Sequence, residues 1–387
     1  MIIGVDATSW VNRRGFGRFA RNSIRKLVER DRDATYVMFI DSATAIDADL
    51  PAAAQVQIVE LDRPPSEAAS ANSSRSVSDM LRMVSAVRKR RPDVFLFPSI
   101  HTYFPLVGIP TVIGIHDAIT AELPHLTVPG VRARVFWSLK QRVALAFATR
   151  LFTVSKAARA AIHIELGVRR EKLGIVPEAP DPIFRPNAER AVAEARTAIG
   201  LGLHQDYLLY AGGISPHKNL ETLVAGFGLL PTPRPQLVAV GDLDRETYVS
   251  SAEALRRQIS TLGLDSQITL PGFVSDEILA GLYSGAYAVV NASLAEGFGL
   301  PAVEAAACGA PVLLSDIPAH RETLGGAAVF FPPRSATALA TELHRLLKNR
   351  ALRDEIAAKC FRAVAGLTWD ASADALRDLL REAAAQR

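Results

Sequence analysis

Two glutamates stand eight positions apart in the apolar stretch LAEGFGLPAVEAAACG, residues 294–309. Pro301 suits the first position of a helix and Gly309 the position just past its end, so we place Glu296 on the preceding loop and Glu304 one turn inside the helix. A helix N-terminus attracts phosphate, and the two carboxylates can accept hydrogen bonds from the hydroxyls of a sugar and a ribose. In a purely structural interpretation, Glu304 only offsets the helix dipole and Glu296 is a loop charge.

A second stretch, LYAGGISPHKNLETLVAGF at residues 209–227, again runs from a strand through a glycine-containing loop into a helix, here predicted to begin near Pro216. Lys218 would then lie in the first helical turn, where the helix dipole disfavours a cation. Such a lysine needs an anionic partner, and we predict that a diphosphate is that partner. The alternative is a lysine that is simply solvated at the surface.

In the first half of the chain, polar residues follow two predicted strands. TVIGIHD ends in His116 and Asp117, and LFTVS ends in Ser155. Ligands of parallel α/β sheets bind at the carboxyl ends of the strands, so these three residues are candidates for a site. Structural roles compete with this interpretation, because Asp117 can orient His116 or cap its loop, and Ser155 can cap the helix that follows.

Gly15, Gly17 and Ala20 satisfy the G-x-G-x-x-A pattern of dinucleotide-binding turns. The first glycine comes nine positions after Asp6, where the opening strand IIGVD ends. The tight strand-to-helix turn that the pattern requires is therefore missing, and NAD binding is not predicted. Gly15 and Gly17 can instead offer backbone amides to an anion.

Short β-branched runs alternate with helical stretches along the whole chain, which predicts parallel sheets covered by helices. The stretch VPEAPDPIFRPN, residues 176–187, contains four prolines and indicates a linker. We therefore predict an α/β fold with two Rossmann-like, doubly wound domains, residues 1–180 and 181–366, that face a central cleft. A helix at about 367–387 is expected to cross back to the first domain, and residues 64–79 are predicted to form a polar loop.

The composition is typical of a folded soluble protein, with 49% hydrophobic and 22% charged residues. Two cysteines are too few for a disulfide framework, and the first residues lack a signal-peptide pattern, so we expect a cytoplasmic location. The net charge is +8 for residues 1–180 and −4 for residues 181–387. The basic half predicts an anionic partner, with chance variation as the alternative, and its stretch 131–150 either lies on an anionic membrane or packs on the sheet.

The segment NASLAEGFGLPAVEAAACGAPVLLSD resembles the donor-site signature of the family 4 glycosyltransferases, which are retaining enzymes of GT-B fold. The flanking ITLPGFVSDEILAGLYSGAYAVV and IPAHRETLGG extend the likeness. The resemblance implies that Glu296 contacts hydroxyls of the transferred sugar, Glu304 binds the ribose and Lys218 binds the diphosphate. It also implies that the donor meets the backbone at Phe298, Gly299 and Leu300.

The same resemblance places His116 close to the transferred sugar and the loop of Gly15 and Gly17 over the donor and acceptor. One departure concerns Gly213, where members often carry arginine, so a second phosphate-binding cation is either missing or supplied by His217. D-x-D tripeptides occur at 31–33, 47–49 and 242–244, and of these only Asp242, after QLVAVG, follows an apolar strand as a metal site would require. The resemblance implies that neither a metal nor another cofactor is needed.

Taken together, the resemblance implies transfer of a hexose, with retention, from a nucleotide sugar to a glycan or lipid-linked glycan during polysaccharide assembly. The second domain would hold the donor and the basic first domain the acceptor, with peripheral contact at the inner face of the membrane and no nucleic-acid partner. GDP-mannose is the preferred donor and UDP-glucose the second candidate. Two rival hypotheses are a nucleotide-sugar isomerase of the same fold and an inactive glycan-binding regulator.

Overall fold

The structure, a computed structural model, describes residues 1–12, 15–62, 76–128, 130–203, 205–242 and 251–386. The chain divides into two compact units, Met1–Glu178 with Thr368–Arg387, and Ala179–Leu367. The first crossing between the units falls within the proline-rich stretch 176–187. Each unit has its own parallel sheet.

The sheet of the first unit has seven parallel strands in the order β3-β2-β1-β4-β5-β6-β7. The strands are β1 (Ile2–Asp6), β2 (Thr35–Asp41), β3 (Gln55–Val59), β4 (Val94–Phe97), β5 (Thr111–Gly114), β6 (Arg150–Thr153) and β7 (Leu173–Ile175). The middle strands β4 and β5 are buried along their whole length. Strands that are covered on both faces need continuous apolar runs, which is why VFLF and TVIG show no alternation.

The strand order of this sheet reverses direction at β1, so right-handed crossovers place helices on both of its faces. The helices before the linker are α1 (Gly15–Arg30), α2 (Ser42–Ala45), α3 (Val77–Arg90), α4 (Ile119–Glu122), α5 (Pro124–Thr127), α6 (Val131–Phe147) and α7 (Lys156–Leu166), with 3-10 turns at Ile100–Thr102 and Arg170–Lys172. Aromatic rings fill the core, and the ring centroid of Phe95 lies 4.8 Å from Phe97 and 5.8 Å from Phe104.

The second unit repeats this plan with six parallel strands in the order β10-β9-β8-β11-β12-β13. The strands are β8 (Tyr207–Ala211), β9 (Gln236–Val240), β10 (Ile268–Gly272), β11 (Ala288–Asn291), β12 (Val312–Ser315) and β13 (Val329–Phe331). The helices are α8 (Glu189–Ala198), α9 (Leu220–Gly228), α10 (Ala252–Thr261), α11 (Asp276–Gly285), α12 (Leu300–Ala307), α13 (Pro318–Leu324), α14 (Ala336–Lys348) and α15 (Arg350–Val364), with 3-10 turns at Pro216–Lys218 and Gly325–Ala327. The strand order reverses between β8 and β11, which marks their carboxyl ends as the place where a ligand would bind.

The last helix, α16 (Trp369–Ala384), belongs to the first unit and packs against α1. The ring of Trp369 meets that of Phe19 edge-on at 6.2 Å between centroids. Arg30 donates to Asp374 at 2.9 Å, at the opposite end of α1. The end of the chain therefore completes the surface of the unit that its beginning forms.

The predicted fold class of two doubly wound parallel-sheet units is confirmed, while two local predictions differ from the structure and one helix was not predicted. Residues 77–79 of the predicted loop 64–79 begin α3, while 64–75 lie outside the described residues. Lys218 ends a 3-10 turn and is not in an α-helix. Helix α15 gave no clear sequence signal, because it buries only Ile356, Cys360 and Val364, a stripe too thin to stand out.

Candidate active site

A buried ion pair joins the loops that follow β8 and β11 in the second unit. These strands are parallel neighbours, with Ala288 opposite Leu208, so their carboxyl ends open at the same edge of the sheet. The Nζ atom of Lys218 lies 2.7 Å from Oε1 of Glu296, and the side chains are only 17% and 8% exposed. Two residues that are 78 positions apart in sequence thus form the charged centre of this edge.

Lys218 was predicted in the first turn of an α-helix, with a diphosphate as the anion that it needs. The structure corrects the helical placement, because Lys218 ends the Pro216–Lys218 turn, and it shows that Glu296 is an anionic partner of Lys218, while diphosphate binding stays a prediction. Asn219, in the left-handed region with φ 59°, separates this turn from α9. A ligand phosphate at this position would therefore have to share Lys218 with Glu296.

Three polar side chains, those of Ser293, Ser315 and Asn219, hold the pair in place. Ser293 lies with its Oγ 2.7 Å from Oε1 of Glu296, and Ser315 donates to the Ser293 carbonyl at 2.6 Å. The amide of Asn219 donates to the carbonyl of Ala292 at 2.9 Å, which ties the turn that carries Lys218 to the end of β11. Because buried amides must be satisfied, this contact sets the distance between the two loops.

The charges of the pair stabilise each other. Burial acts to raise the pKa of Glu296, but the charge of Lys218, the nearby His320 and the hydrogen bonds from Lys218 and Ser293 outweigh it and lower the pKa to about 2. Burial, together with the charge of Lys218, lowers the pKa of His217 to about 3. Near neutral pH the pair therefore consists of a carboxylate and an ammonium, and His217 is a neutral imidazole beside it.

Helix α12 begins beside Glu296 and contributes the remaining predicted donor contacts. Gly299 precedes its first residue with φ 86°, a left-handed conformation that favours glycine. Phe298 and Leu300 are each 7% exposed, and Glu304, in the second turn, is 4% exposed. The predicted helix limits around Pro301 and Gly309 agree with the structure. Glu296 therefore lies on the loop before α12, and Glu304 lies on the helix itself.

His320 is a buried residue of this site that sequence reasoning did not single out. Its Nδ1 donates to the Ser315 carbonyl at 2.9 Å, while Nε2 has no hydrogen-bond partner among the described residues. A Cβ on Gly299 would lie 2.9 Å from Cδ2 of this ring. Burial lowers the pKa of His320 more than the neighbouring Glu296 raises it, so the ring is neutral near pH 7. The signal that could have found it was its place in IPAHRETLGG, directly after β12.

In the first unit, the structure places His116 just past the end of β5 with both ring nitrogens facing oxygens. Nε2 lies 2.9 Å from the Pro98 carbonyl, and Nδ1 lies 3.6 Å from Oε1 of Glu178. Asp117 accepts from the backbone N–H of Ile119 at 3.0 Å and so caps the start of α4. An acid that faces His116 is therefore Glu178, which sequence reasoning missed and which lies three residues after the end of β7, between Pro177 and Pro180.

The remaining predicted site residues lie at element ends. Ser155 accepts from the N–H of Ala158 at 2.9 Å and caps α7, which is its structural role. Gly15 and Gly17 lie in the first turn of α1, and a Cβ on Gly17 would lie 2.0 Å from the carbonyl oxygen of Asn12. The carbonyl of Gly213 accepts from the Tyr210 hydroxyl at 2.5 Å, so a side chain of β8 fixes the position of this loop.

Within the described ranges, no group of three His, Cys, Asp or Glu side chains could hold a metal ion. Nor does any helix of the described residues reach the length and hydropathy needed to cross a membrane.

The ion pair yields a prediction about stability. Lys218→Met leaves Glu296 buried without its cation and should reduce the free energy of unfolding by about 3 kcal/mol at pH 7. In urea unfolding of the full chain, Glu355→Gln, which breaks an exposed pair with Lys359, should cost under about 0.5 kcal/mol. Because the folded pKa of Glu296 is depressed below its ordinary 4.5, this contribution is present above that value and is lost as the pH falls toward 2. Equal effects of the two variants would contradict the prediction.

Gly299 yields a second prediction. Gly299→Ala introduces both left-handed strain and a contact with His320, whereas Gly309→Ala, at φ 80°, meets nothing closer than 3.8 Å. Strain alone should cost about 1–3 kcal/mol in either variant. Thermal unfolding should show the Gly299 variant to be the less stable by at least about 1 kcal/mol, since His320 is tightly packed. If the two variants unfold at the same temperature, the contact with His320 does not contribute to stability.

Two sequence models of known families match the chain. One, described as Glycosyltransferase Family 4, matches residues 13–182. The other, described as Glycosyl transferases group 1, matches residues 192–360. The serotype-specific mannosyltransferase WbdA of Escherichia coli is 31% identical over 168 residues, which is 43% of this chain and 20% of that relative. The match thus spans about a fifth of the length of that curated relative.

Solved structures show the same fold over the whole chain. The sucrose-phosphate synthase from Thermosynechococcus elongatus aligns with a TM-score of 0.78 at 20% identity, covering 100% of this chain and 99% of the other. HepE from Anabaena, in complex with UDP-glucose, aligns with a TM-score of 0.76 at 18% identity, covering 98% and 99%. Both family models describe glycosyltransferases and together they match residues 13–182 and 192–360, so the chain belongs to the glycosyltransferases, with its first unit similar to Glycosyltransferase Family 4 and its second to Glycosyl transferases group 1.

Proposed function

We propose that the chain is a retaining glycosyltransferase that moves a hexosyl group from a nucleotide-diphosphate sugar to a glycan or lipid-linked glycan. The observation that carries the proposal is the buried Lys218–Glu296 pair at the strand-order reversal of the second unit, followed directly by the N-terminus of α12. A cation and a helix start suit a diphosphate, and a carboxylate suits sugar hydroxyls. The donor is assigned to the second unit and the acceptor to the first.

The proposed chemistry is electrostatic. As the sugar–phosphate bond breaks, negative charge grows on the diphosphate, and Lys218 with the helix start offsets it. Glu296 positions the sugar through its hydroxyls, and Glu304 takes the ribose. A carboxylate with a pKa of about 2 is a weak base, which is why Glu296 is not assigned the proton of the acceptor. That proton passes to the leaving phosphate, on the face from which the diphosphate departs.

We propose GDP-mannose as the donor, because the relative WbdA is a mannosyltransferase, and UDP-glucose is the second candidate. Polysaccharide assembly in the cytoplasm is the corresponding setting. We assign no cofactor and no metal to the reaction, so transfer should continue in EDTA.

Helix α6 provides the basis for the proposed membrane contact of the first unit. Val131, Val135, Phe136, Leu139 and Phe147 are 50–70% exposed, so the apolar side chains do not all pack on the sheet. At 3.6 residues per turn they share one half of the helix surface. Arg132 and Arg142 fall between them, and residues 131–150 contain no acid. An exposed apolar face with interspersed cations suits the surface of an anionic bilayer.

The donor assignment is tested by nucleotide release from a panel of nucleotide sugars, with and without EDTA. The wild-type chain should hydrolyse one donor slowly in the absence of acceptor, and Glu296→Gln should lose at least tenfold in rate because it no longer positions the sugar. The matched control is Glu253→Gln, an 87% exposed acid on α10, which should leave the rate unchanged.

Three results would contradict the proposal in different ways. Interconversion of the sugar without nucleotide release would indicate an isomerase. Thermal stabilisation by a nucleotide sugar without any turnover would indicate an inactive binder. If no nucleotide sugar of the panel is hydrolysed and none stabilises the chain against heat, the donor site itself is excluded.

The membrane contact is tested by flotation with vesicles of phosphatidylglycerol and phosphatidylcholine. Binding should require the anionic lipid and weaken with salt, and Phe136→Ser with Leu139→Ser should weaken it at least tenfold, since each buried side chain contributes about 1.5–3 kcal/mol. Phe361→Ser, at a 43% exposed position on α15, is the control and should have no effect. Equal binding of wild type and the double variant would exclude this face.

A further inference from the structure

His116 in the first unit lies against the backbone at the carboxyl ends of neighbouring strands β4 and β5. Gly114 ends β5, and a Cβ there would lie 2.4 Å from the Pro98 carbonyl oxygen, so only glycine lets that carbonyl approach. The same carbonyl lies 2.9 Å from Nε2 of His116. Because a carbonyl can only accept, Nε2 carries a proton.

The second ring nitrogen of His116 faces a carboxylate. Oε1 of Glu178 lies 3.6 Å from Nδ1, a distance for an ion pair and longer than a hydrogen bond, and the two side chains are 14% and 7% exposed. A ring with an acceptor at each nitrogen is best satisfied when both nitrogens are protonated.

Aromatic rings hold the imidazole from its sides. The centroid of Phe19, on α1, lies 4.8 Å away with the planes at 82°, and that of Phe152, on β6, lies 6.2 Å away at 74°. These contacts restrict rotation of the His116 side chain about χ1 and χ2. A flip that freed one nitrogen for a substrate would have to break the contact with Pro98 and move past both rings.

We propose that Glu178 is a positioning residue that holds His116 in one orientation as an imidazolium, so that His116 acts in the transfer reaction as a fixed positive charge and not as a proton carrier. This inference rests on the proposed function for its catalytic part. Its structural part, the pairing of Glu178 with His116, stands on the geometry alone.

The acids around the ring act in the direction that the inference needs. Burial acts to lower the pKa of His116, but Glu178, the Pro98 carbonyl and Asp117 outweigh it and raise the pKa above its ordinary 6.5. Glu178 and Asp117 are the charged groups that act on the ring from the loops after β7 and β5, while Phe19 and Phe152 are uncharged. The positive charge is therefore present below the raised pKa and is lost as the pH rises through it.

The experiment is a pH titration of the histidine imidazole NMR signals of the full chain, with His116 assigned from His116→Gln. In the wild type, His116 should titrate above 6.5. In Glu178→Gln, an uncharged side chain of the same shape, its pKa should fall by at least one unit. Glu178→Asp keeps the charge and should retain most of the shift, while Glu165→Gln, an exposed acid on α7, should change nothing.

The kinetic arm uses kcat/KM against pH with the donor identified by nucleotide release. Wild-type activity should decline at high pH with the pKa of His116, and Glu178→Gln should shift that decline to lower pH by the same interval, with at least a tenfold loss at pH 7.5. A merely structural Glu178 would lower activity equally at every pH.

The outcomes separate the inference from the function it rests on. An unchanged His116 pKa in Glu178→Gln overturns the pairing, whether or not any donor is turned over. A shifted pKa with an unshifted pH profile overturns the catalytic part. A shifted pKa in a chain that transfers no sugar from any donor overturns the proposed function and supports the pairing.

Discussion

The buried ion pair between Lys218 and Glu296 is the constraint around which the second unit is organised. Removing two charges from water costs several kcal/mol per ion, and the mutual attraction compensates only where the geometry is fixed. The parallel pairing of β8 with β11 brings the loops together, Asn219 sets their spacing and Ser293 adds a hydrogen bond. The packing of the sheet edge therefore sets the distance between Lys218 and Glu296, and with it the strength of their attraction.

The pair also bears on how a ligand would enter the proposed reaction. In that proposal, a diphosphate at the start of α12 would compete with Glu296 for the ammonium of Lys218, and a sugar would compete with Lys218 for the carboxylate of Glu296. Without a ligand, Lys218 favours the charged form of Glu296, whose pKa it lowers. His217 and His320, buried beside the pair, are neutral near pH 7, so neither histidine adds a charge to the pair of Lys218 and Glu296.

The first unit solves a similar problem with different groups. His116 lies past the end of β5 as Glu296 lies past the end of β11, and in both cases a partner from another strand end shifts the pKa of the group. The partner lowers a pKa in one unit and raises it in the other. In both, the close approach of backbone to a histidine ring depends on a glycine, Gly114 with Pro98 in the first unit and Gly299 beside His320 in the second.

The sequence by itself determined the two doubly wound units, the helix limits at Pro301 and Gly309, and which residues stand at strand ends, because these depend on local periodicity and on the chemistry of proline and glycine. It could not supply the partners. The order of strands in a parallel sheet is set by long-range packing, so only the tertiary structure paired Lys218 with Glu296 across 78 positions and placed Glu178 beside His116. The same packing anchors the turn that ends at Lys218, because the side-chain amide of Asn219 donates to the carbonyl of Ala292, just past β11.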